Sequence, residues 1–548
     1  MKILLVSPWF PTTYWGMQYA LSIVGRRAVL PPLGLMTVAA LLPRDWELRL
    51  VDLNVERLAD DVIEWADVVL LGGMHIQGPS MHEVIARARR LGRRTVVGGP
   101  GPTTAPEEYA DADVVFLGEA ERGVGRLVQA IGDPRPGTVI DAGDERPEMG
   151  DVPVPRYDLI DRAAYRAMSL QYSRGCPFRC EFCDIIEIFG RRPRVKTEAQ
   201  VLAELDGLHA LGHRGPLFIV DDNFIGNKPA VKRLLPALAR WQRARGYPFD
   251  FFTEASLNLA DDEALLAAMA DAGFSSVFLG LESPSAEALK GAGKTQNLRR
   301  DMSESVDIIS AHGLQVMGGF IVGFDEDDDG VFEAQRDFIQ SSPIPMAMVG
   351  LLTALPGTAL ARRLAREGRL RQRATGDQFG RPNFAPAMDE VRLLRGYGAL
   401  MATLYEPAAN YELCARSLER TPRGASRTPV SLADVATLIR TFVEIGVRSP
   451  RRWRYWRLLA RAVRRSPHHL ARAVANAVQG EHLIRYTEQV LLPRIEAAIA
   501  EVERERARAA RALRHPERPG DSAGRAPLAG QRTSAASFLS EASAAGGS

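Results

Sequence analysis

Three cysteines crowd into eight residues, Cys176, Cys180 and Cys183, within Tyr172-Ser-Arg-Gly-Cys-Pro-Phe-Arg-Cys-Glu-Phe-Cys183. The fourth, Cys414, lies far along the chain. Thiolates are soft ligands that select zinc, copper(I) or iron–sulfur clusters. A structural zinc site wants four protein ligands, but there is no second cysteine pair, and His213 stands beyond the helix expected after the loop. Iron–sulfur clusters are commonly held by four cysteines. In a four-iron cube, three leave one iron open to a substrate or cosubstrate. Phe182, between the second and third thiols, would shield such a cluster from water. A second set of candidates follows: Asp221, Asp222 and Asn223, then Glu254 and Ser256, then Glu282 and Ser283. Helix N-capping is the bland account of such residues and suits Asp261 and Ser285. Carboxylates that end successive strands instead point into one shared mouth.

The elements that must position these groups are legible as alternating runs. From residue 1 to 145, short apolar strands (Lys2–Val6, Leu48–Asp52, Val68–Gly72, Thr95–Gly98, Val114–Gly118) alternate with helical stretches. Continuous apolar strands separated by helices predict a parallel sheet covered on both faces, a doubly wound Rossmann-like domain. Glycines cluster where its strands end, at Gly72-Gly73, Gly98-Gly99-Pro100-Gly101 and Gly118. Ligands bind outside the carboxyl ends of such strands, where glycine lets the backbone approach a bulky or flat ligand. After a proline-rich crossing over 146–158, six further strands predict a partial (βα)6 barrel over 146–370, with its site at the carboxyl rim.

From 371 to 514 apolar residues recur at helical spacing, as in Val391, Leu394, Tyr397 and Met401, or Leu432, Val435, Leu438 and Phe442. This predicts a helical domain. The tail, 515–548, is rich in Ser, Ala, Gly, Pro and Arg and is expected to be disordered. The 69 basic and 67 acidic residues leave a net charge of +2, which argues against a nucleic-acid wrapper. Few cysteines and no spanning apolar run point to a soluble protein of the reducing cytoplasm. The Arg-rich segment Arg451-Arg-Trp453-Arg-Tyr455-Trp456-Arg457 is a solvated helix face by default, with a peripheral contact with an anionic membrane or stacking on RNA as the alternatives.

The run Cys176-x3-Cys180-x-Phe182-Cys183 resembles the signature of radical S-adenosylmethionine (SAM) enzymes. That resemblance implies a [4Fe–4S] cluster on the three cysteines, whose open iron chelates SAM. The reduced cluster, fed by a donor such as flavodoxin or ferredoxin, breaks the sulfonium bond and yields a 5′-deoxyadenosyl radical. It further implies SAM contacts from Phe182, Asp222, Ser256, Glu282 and the segment Gly319-Phe-Ile321-Val-Gly323. The familiar glycine-glycine-glutamate form is absent from the second strand, so Asp222 stands in its place beside Asp221.

The doubly wound front domain is similar to that of cobalamin-dependent radical SAM proteins, through Pro31-Pro32-Leu33-Gly34-Leu35, Gly72-Gly73-Met74 and Val97-Gly98-Gly99-Pro100. The resemblance implies cobalamin contacts from Gly72, Gly73, Met74, Gly98, Gly99, Pro100 and Gly118. The Asp-x-His-x-x-Gly motif that gives cobalt a histidine is missing; Asp52-Leu-Asn54 has none, and His75, which could approach the cofactor, is read as a satisfied surface histidine. With both cofactors the implied activity is methyl transfer to an unactivated carbon of a small-molecule or lipid substrate. Rearrangement, cyclisation, methylthiolation and a non-catalytic iron–sulfur redox sensor are the alternatives. The whole chain, including Asn383-Phe-Ala-Pro386 and the helical appendage, resembles the branch that includes hopanoid C-2 methylases.

Overall fold

The computed structural model describes residues 1–133, 135–142, 146–422 and 432–514; the tail expected to be disordered lies outside them. A first parallel sheet holds β1 (Lys2–Ser7), β2 (Glu47–Asp52), β3 (Val68–Gly72), β4 (Arg94–Gly98), β5 (Val114–Leu117) and β6 (Thr138–Asp141) in the order β2-β1-β3-β4-β5-β6. The order reverses between β1 and β3, which creates the crevice that doubly wound sheets use for ligands. β3 is buried from Val68 to Leu71, as expected of a strand covered on both faces. One cover is the helix Gly78–Arg90, whose Met81, Val84, Ile85 and Ala88 are buried at helical spacing. The short edge strand β6, only partly buried, carries too little apolar pattern to be read from sequence.

β7 (Met168–Leu170) opens the second sheet, and a two-stranded ribbon of β8 (Ser173–Arg174) and β9 (Arg194–Val195) follows. Then come β10 (Gly215–Ile219), β11 (Phe249–Ala255), β12 (Phe274–Glu282), β13 (Gln315–Val322) and β14 (Met346–Leu351). They join β7 in a six-stranded parallel sheet, order β14-β13-β12-β11-β10-β7, the sequential pairing of a partial barrel. Burial alternates along β11: Phe249, Phe251, Thr253 and Ala255 are buried, while Phe252 and Glu254 are half-buried. Successive side chains leave opposite faces of a strand, so Glu254 lies on the other face. Ser285 caps its helix as expected, accepting from Ala288 N–H; for the helix Glu263–Ala272 the cap is Asp262, not Asp261.

The C-terminal helices are Glu390–Leu404, Pro407–Arg420, Leu432–Thr441, Arg452–Arg465, Leu470–Tyr486 and Leu492–Arg514. Val391, Leu394, Tyr397 and Met401 are buried as their spacing predicts. Val435, Leu438 and Phe442 are not: they are exposed, because periodicity places residues on one face without saying where that face points. The helix Leu470–Tyr486 centres the group, with Glu481 fully buried against Arg451 at 2.9 Å. The N-terminal segment threads into it. The Tyr14 hydroxyl hydrogen-bonds Thr487, 473 residues away. His482 accepts from Tyr19 N–H at Nδ1 (3.3 Å), so Nε2 carries the proton donated to Thr13 O (2.9 Å). By compactness the chain divides into Met1–Ile499 and Ala500–Ser548. In the second unit the described residues are those to Arg514, the end of the last helix.

Candidate functional site

The cysteine loop leaves β8 through Gly175, whose φ of +96° puts it in the region that favours glycine. A Cβ there would come within 2.8 Å of Gly190 O. Cys176 N–H donates to Gly190 O (3.2 Å) and Cys183 N–H to Cys180 O (3.3 Å), so the backbone winds back on itself with all three thiols in one short loop. Glu181 N–H donates to Ala292 O (3.0 Å), and Gly293 packs where a Cβ would meet Arg179 O at 2.8 Å. Burial pushes the Cys176 and Cys183 thiols up, opposed by the N–H groups of Phe178 and Ile185. Amide donors also reach sulfur from side chains: Asn223 Nδ2 lies 3.8 Å from Cys176 Sγ, and Gln296 Nε2 3.7 Å from Cys180 Sγ. Donors aimed at buried sulfur stabilise thiolate, the state a metal cluster requires. Among the described residues no three His, Cys, Asp or Glu side chains converge on one ion position. A cube does not demand that, since each thiolate binds a different iron. His213, stacked on Phe249 and 3.2 Å from Pro216 O, and the buried Cys414 have neighbours of their own.

Two adjacent aspartates divide their work. Asp221 accepts from Tyr172 N–H and Ser173 Oγ, both at 2.7 Å, and so ties the end of β10 to the cysteine loop. Asp222 Oδ2 is buried without a hydrogen-bond partner, and burial plus the Asp221 charge pushes its carboxyl up to about 7. Glu254 has its carboxyl pushed up to about 8 by burial, Asp222 and Asp221, with Lys294 pulling the other way. Poorly solvated carboxyls that raise each other's pKa offer a place for a cation or a proton. Ser256 is engaged, accepting from Asn223 Nδ2 (3.2 Å) and donating to Asn258 Oδ1 (2.6 Å). Glu282, at φ +66°, is committed to a buried ion pair with Lys294, whose ammonium also lies 5.9 Å from the Phe182 ring centre. Phe182 and Ile321 pack together against the cluster around Phe324 and Leu360. Gly319 leaves room for the Phe278 ring, 2.8 Å from where a Cβ would stand. Gly323, at φ +102°, donates to Asp327. A cavity of about 530 Å³, within the range of small-molecule sites, adjoins the loop at Phe178, Lys228, Ser256 and Asn258.

At the crevice of the first sheet the glycine turns pack backbone on backbone. Gly99, at φ +96°, lies where a Cβ would meet Gly73 N and O at 3.1 Å. Gly73 N–H donates to Gly98 O, and Gly101 N–H to Gly73 O. Gly118 N–H donates to Thr103 Oγ1 (3.0 Å). The resulting floor of bare peptide, with Met74 46% exposed beside it, fits a large flat ligand. His75 is satisfied as expected: Thr104 Oγ1 donates to Pro100 O (2.9 Å), so His75 Nε2–H donates to Thr104 (2.6 Å). Burial lowers the His75 pKa.

The two sets of residues face each other. The helix Pro100–Thr104 contacts the helix Ile185–Ile188, which follows Cys183, and His75 and Asp184 sense each other's charge. A buried clamp fixes this meeting. Glu119, next to Gly118, accepts from Arg174 Nη1 (2.6 Å) and from Arg194 Nη2 and Nη1 (2.6 and 3.1 Å). Arg174 reaches Glu121 as well (2.8 Å). Both arginines belong to the ribbon that carries the cysteine loop. The clamp, Lys294 and Gln296 escaped sequence reasoning, because charged residues distant in sequence give no periodic signal. Glu254 was among the strand-end carboxylates that the sequence singled out.

A doubly wound domain with a bare-peptide crevice, joined to a partial barrel with a three-thiol loop, defines an enzyme class that pairs a corrin with a cluster. Comparison with known proteins agrees. The family described as B12 binding domain matches residues 23–128, the radical SAM superfamily 170–339, and a domain of unknown function (DUF4070) 358–494. The chain is 41% identical over 498 residues to an uncharacterized methyltransferase of Synechocystis, sll1242, covering 89% of this chain and 92% of that one. It is 34% identical over 503 residues to the hopanoid C-2 methylase of Rhodopseudomonas palustris, covering 89% and 94%. Among solved structures, the radical SAM methyltransferase TsrM of Kitasatospora setae shares the fold at TM-score 0.55 and 18% identity, covering 85% of this chain and 99% of that one. The cobalamin-dependent radical enzyme OxsB does so at 0.57 and 16%, covering 91% and 83%. The chain belongs to the cobalamin-dependent radical SAM methyltransferase family, and its cofactors are a [4Fe–4S] cluster, SAM and cobalamin.

Proposed function

We propose that the enzyme transfers a methyl group to an unactivated carbon of a lipid substrate, in the space between the glycine crevice and the cysteine loop. The observation that carries this reading is the apposition of the two sets of residues, with the helix Pro100–Thr104 against the helix Ile185–Ile188. Exposed aromatic residues support a lipid. Trp9 and Trp15 are 48% and 41% exposed on the segment that leaves β1, and Trp15 meets Phe278 of β12 with ring centres 5.1 Å apart. The 34% identical relative is named as a methylase of hopanoids.

The cofactors, when bound, supply a 5′-deoxyadenosyl radical and a transferable methyl group. The protein's own residues do the rest. Cys176, Cys180 and Cys183 hold the cluster, with Asn223 and Gln296 donating to two of the sulfurs. Asp222, with its unpaired Oδ2, receives the SAM ammonium, and Glu254 adds a second acidic group near it. Phe182, Ile321, Gly319 and Gly323 border the nucleoside, while Ser256 holds Asn223 in place. Glu282 acts through Lys294, whose ammonium it fixes, rather than through SAM. Gly72, Gly73, Met74, Gly98, Gly99, Pro100 and Gly118 would form the floor that holds cobalamin, and His75 Nε2 is engaged by Thr104.

Anaerobically reconstituted enzyme with a candidate lipid should convert SAM to both 5′-deoxyadenosine and S-adenosylhomocysteine, and yield a product heavier by one methylene. 5′-Deoxyadenosine without S-adenosylhomocysteine would refute methyl transfer. A sulfur-containing product would replace it with methylthiolation.

A further inference from the structure

The exposed apolar face on the C-terminal helices has no role in the chemistry above. Val435, Leu438, Ile439 and Phe442 stand at i, i+3, i+4 and i+7, on one side of the helix Leu432–Thr441 and its continuation, and are 44, 37, 60 and 47% exposed. The opposite side of that helix is where it anchors: Arg440 reaches Val24 O at 3.2 Å. The face continues onto the neighbouring helix. The Phe442 ring meets Trp456 edge-on with centroids 5.1 Å apart, and Trp456 Nε1–H is tied to Gly446 O. From there the outer side of the helix Arg452–Arg465 carries Trp453, 71% exposed, and Val463, 47% exposed. Its inner side buries Tyr455, Leu458, Leu459 and Ala462.

Charge tells what covers this face. Arg452, Arg457, Arg464 and Arg465 are exposed on the same helix, and among the described residues none of the four has an ion-pair partner. Arg448, 68% exposed at its side chain, pairs with Glu444. A protein core or a second apolar face would leave these guanidinium groups stranded. An anionic lipid surface accepts them at the headgroups while the isoleucine, phenylalanine and tryptophans enter the acyl boundary. Tryptophan favours that boundary.

We infer that the surface formed by Val435, Leu438, Ile439, Phe442 and Trp453, rimmed by Arg452, Arg457 and Arg464, docks the enzyme on an anionic membrane. The inference rests on this surface alone and survives if the substrate proves not to be a lipid. No helix among the described residues is long and apolar enough to cross a membrane, so the contact is peripheral.

Flotation of the full chain with vesicles tests it. Phosphatidylcholine vesicles containing phosphatidylglycerol should bind the protein at least tenfold more tightly than pure phosphatidylcholine, and raised salt should weaken binding. R457E/R464E should lose a factor of about five or more for each position. I439E/F442E should abolish flotation while circular dichroism and SAM cleavage stay as in the wild type. If I439E/F442E misfolds, the double arginine variant decides alone. Equal binding to both vesicle types, or wild-type flotation by R457E/R464E, overturns the inference. So does a dimer in sedimentation equilibrium that I439E/F442E dissolves, since the face is then covered by a second copy.

Discussion

Replacing Glu119 by glutamine tests whether the clamp at the meeting of the two sheets is a structural necessity. Glu119 accepts three charge-assisted hydrogen bonds, at 2.6, 2.6 and 3.1 Å, and its side chain is 5% exposed. Arg174 and Arg194 are 10% and 5% exposed, so water cannot replace the lost carboxylate. Removing one partner of such a buried pair costs about 3–5 kcal/mol, chiefly because the other charge is left uncompensated. The loss here should lie at the lower end. Arg174 keeps Glu121, and Arg194 keeps the carbonyls of Pro147 and Phe189. E119Q should therefore destabilise the cofactor-free protein by about 3 kcal/mol, roughly a hundredfold in the folding equilibrium. The assay is the first guanidinium-induced transition of the cofactor-free chain. D133N serves as control, because the Asp133–Arg135 pair is 67% and 80% exposed and should cost at most about 1 kcal/mol. An E119Q transition that coincides with that of D133N would refute the reasoning.

Glu254 has its carboxyl raised to about 8 from an ordinary value near 4.5, so the folded state holds a proton the unfolded chain releases. Stability of the cofactor-free protein should therefore fall as pH rises from about 5 through 8. E254Q should flatten that decline and be more stable than wild type by at least about 1 kcal/mol at pH 9, read from denaturant midpoints; an unchanged slope would show that the carboxyl is not desolvated. G99V puts a branched side chain at φ +96°, 3.1 Å from the Gly73 peptide; it should lose cobalamin, seen as lost corrin absorbance, while cluster absorbance remains. C180A should lose the cluster and SAM cleavage yet still bind cobalamin, and retained cleavage would contradict the role given to that thiol.

Periodicity made the longer strands of both sheets legible to within a few residues, from Lys2–Ser7 to Met346–Leu351, since most are apolar runs, whereas the edge strand Thr138–Asp141 and the ribbon of Ser173–Arg174 and Arg194–Val195 carry no such run. The cysteine loop was legible because three thiols in eight residues have few other uses. Where a side chain goes after leaving its strand was not. Nothing in a linear reading sends Lys294 back twelve residues to Glu282, or brings Arg194 to Glu119 across 75; such pairings follow from strand register. The stripe at Val435, Leu438 and Phe442 was read correctly as helical and is nevertheless exposed, because period reports a face and not its neighbour. His75 reads as a satisfied histidine, and the partner that satisfies it, Thr104, is what the sequence does not name.

The threading of residues 13–19 into the last part of the chain bears on how the molecule is made. Tyr14 leaves the ribosome early, but Thr487, to which it bonds, is translated 473 residues later. At 5–20 residues per second that interval is on the order of half a minute to a minute and a half. Throughout it Tyr14, and the backbone at Thr13 and Tyr19 that later meets His482, lack their partners. The aromatic knot of Tyr14, Phe379, Tyr405 and Tyr486 is thus tied only after Tyr486 has been made. Until that point the Tyr14 side chain stands without the full set of neighbours that buries it in the folded molecule.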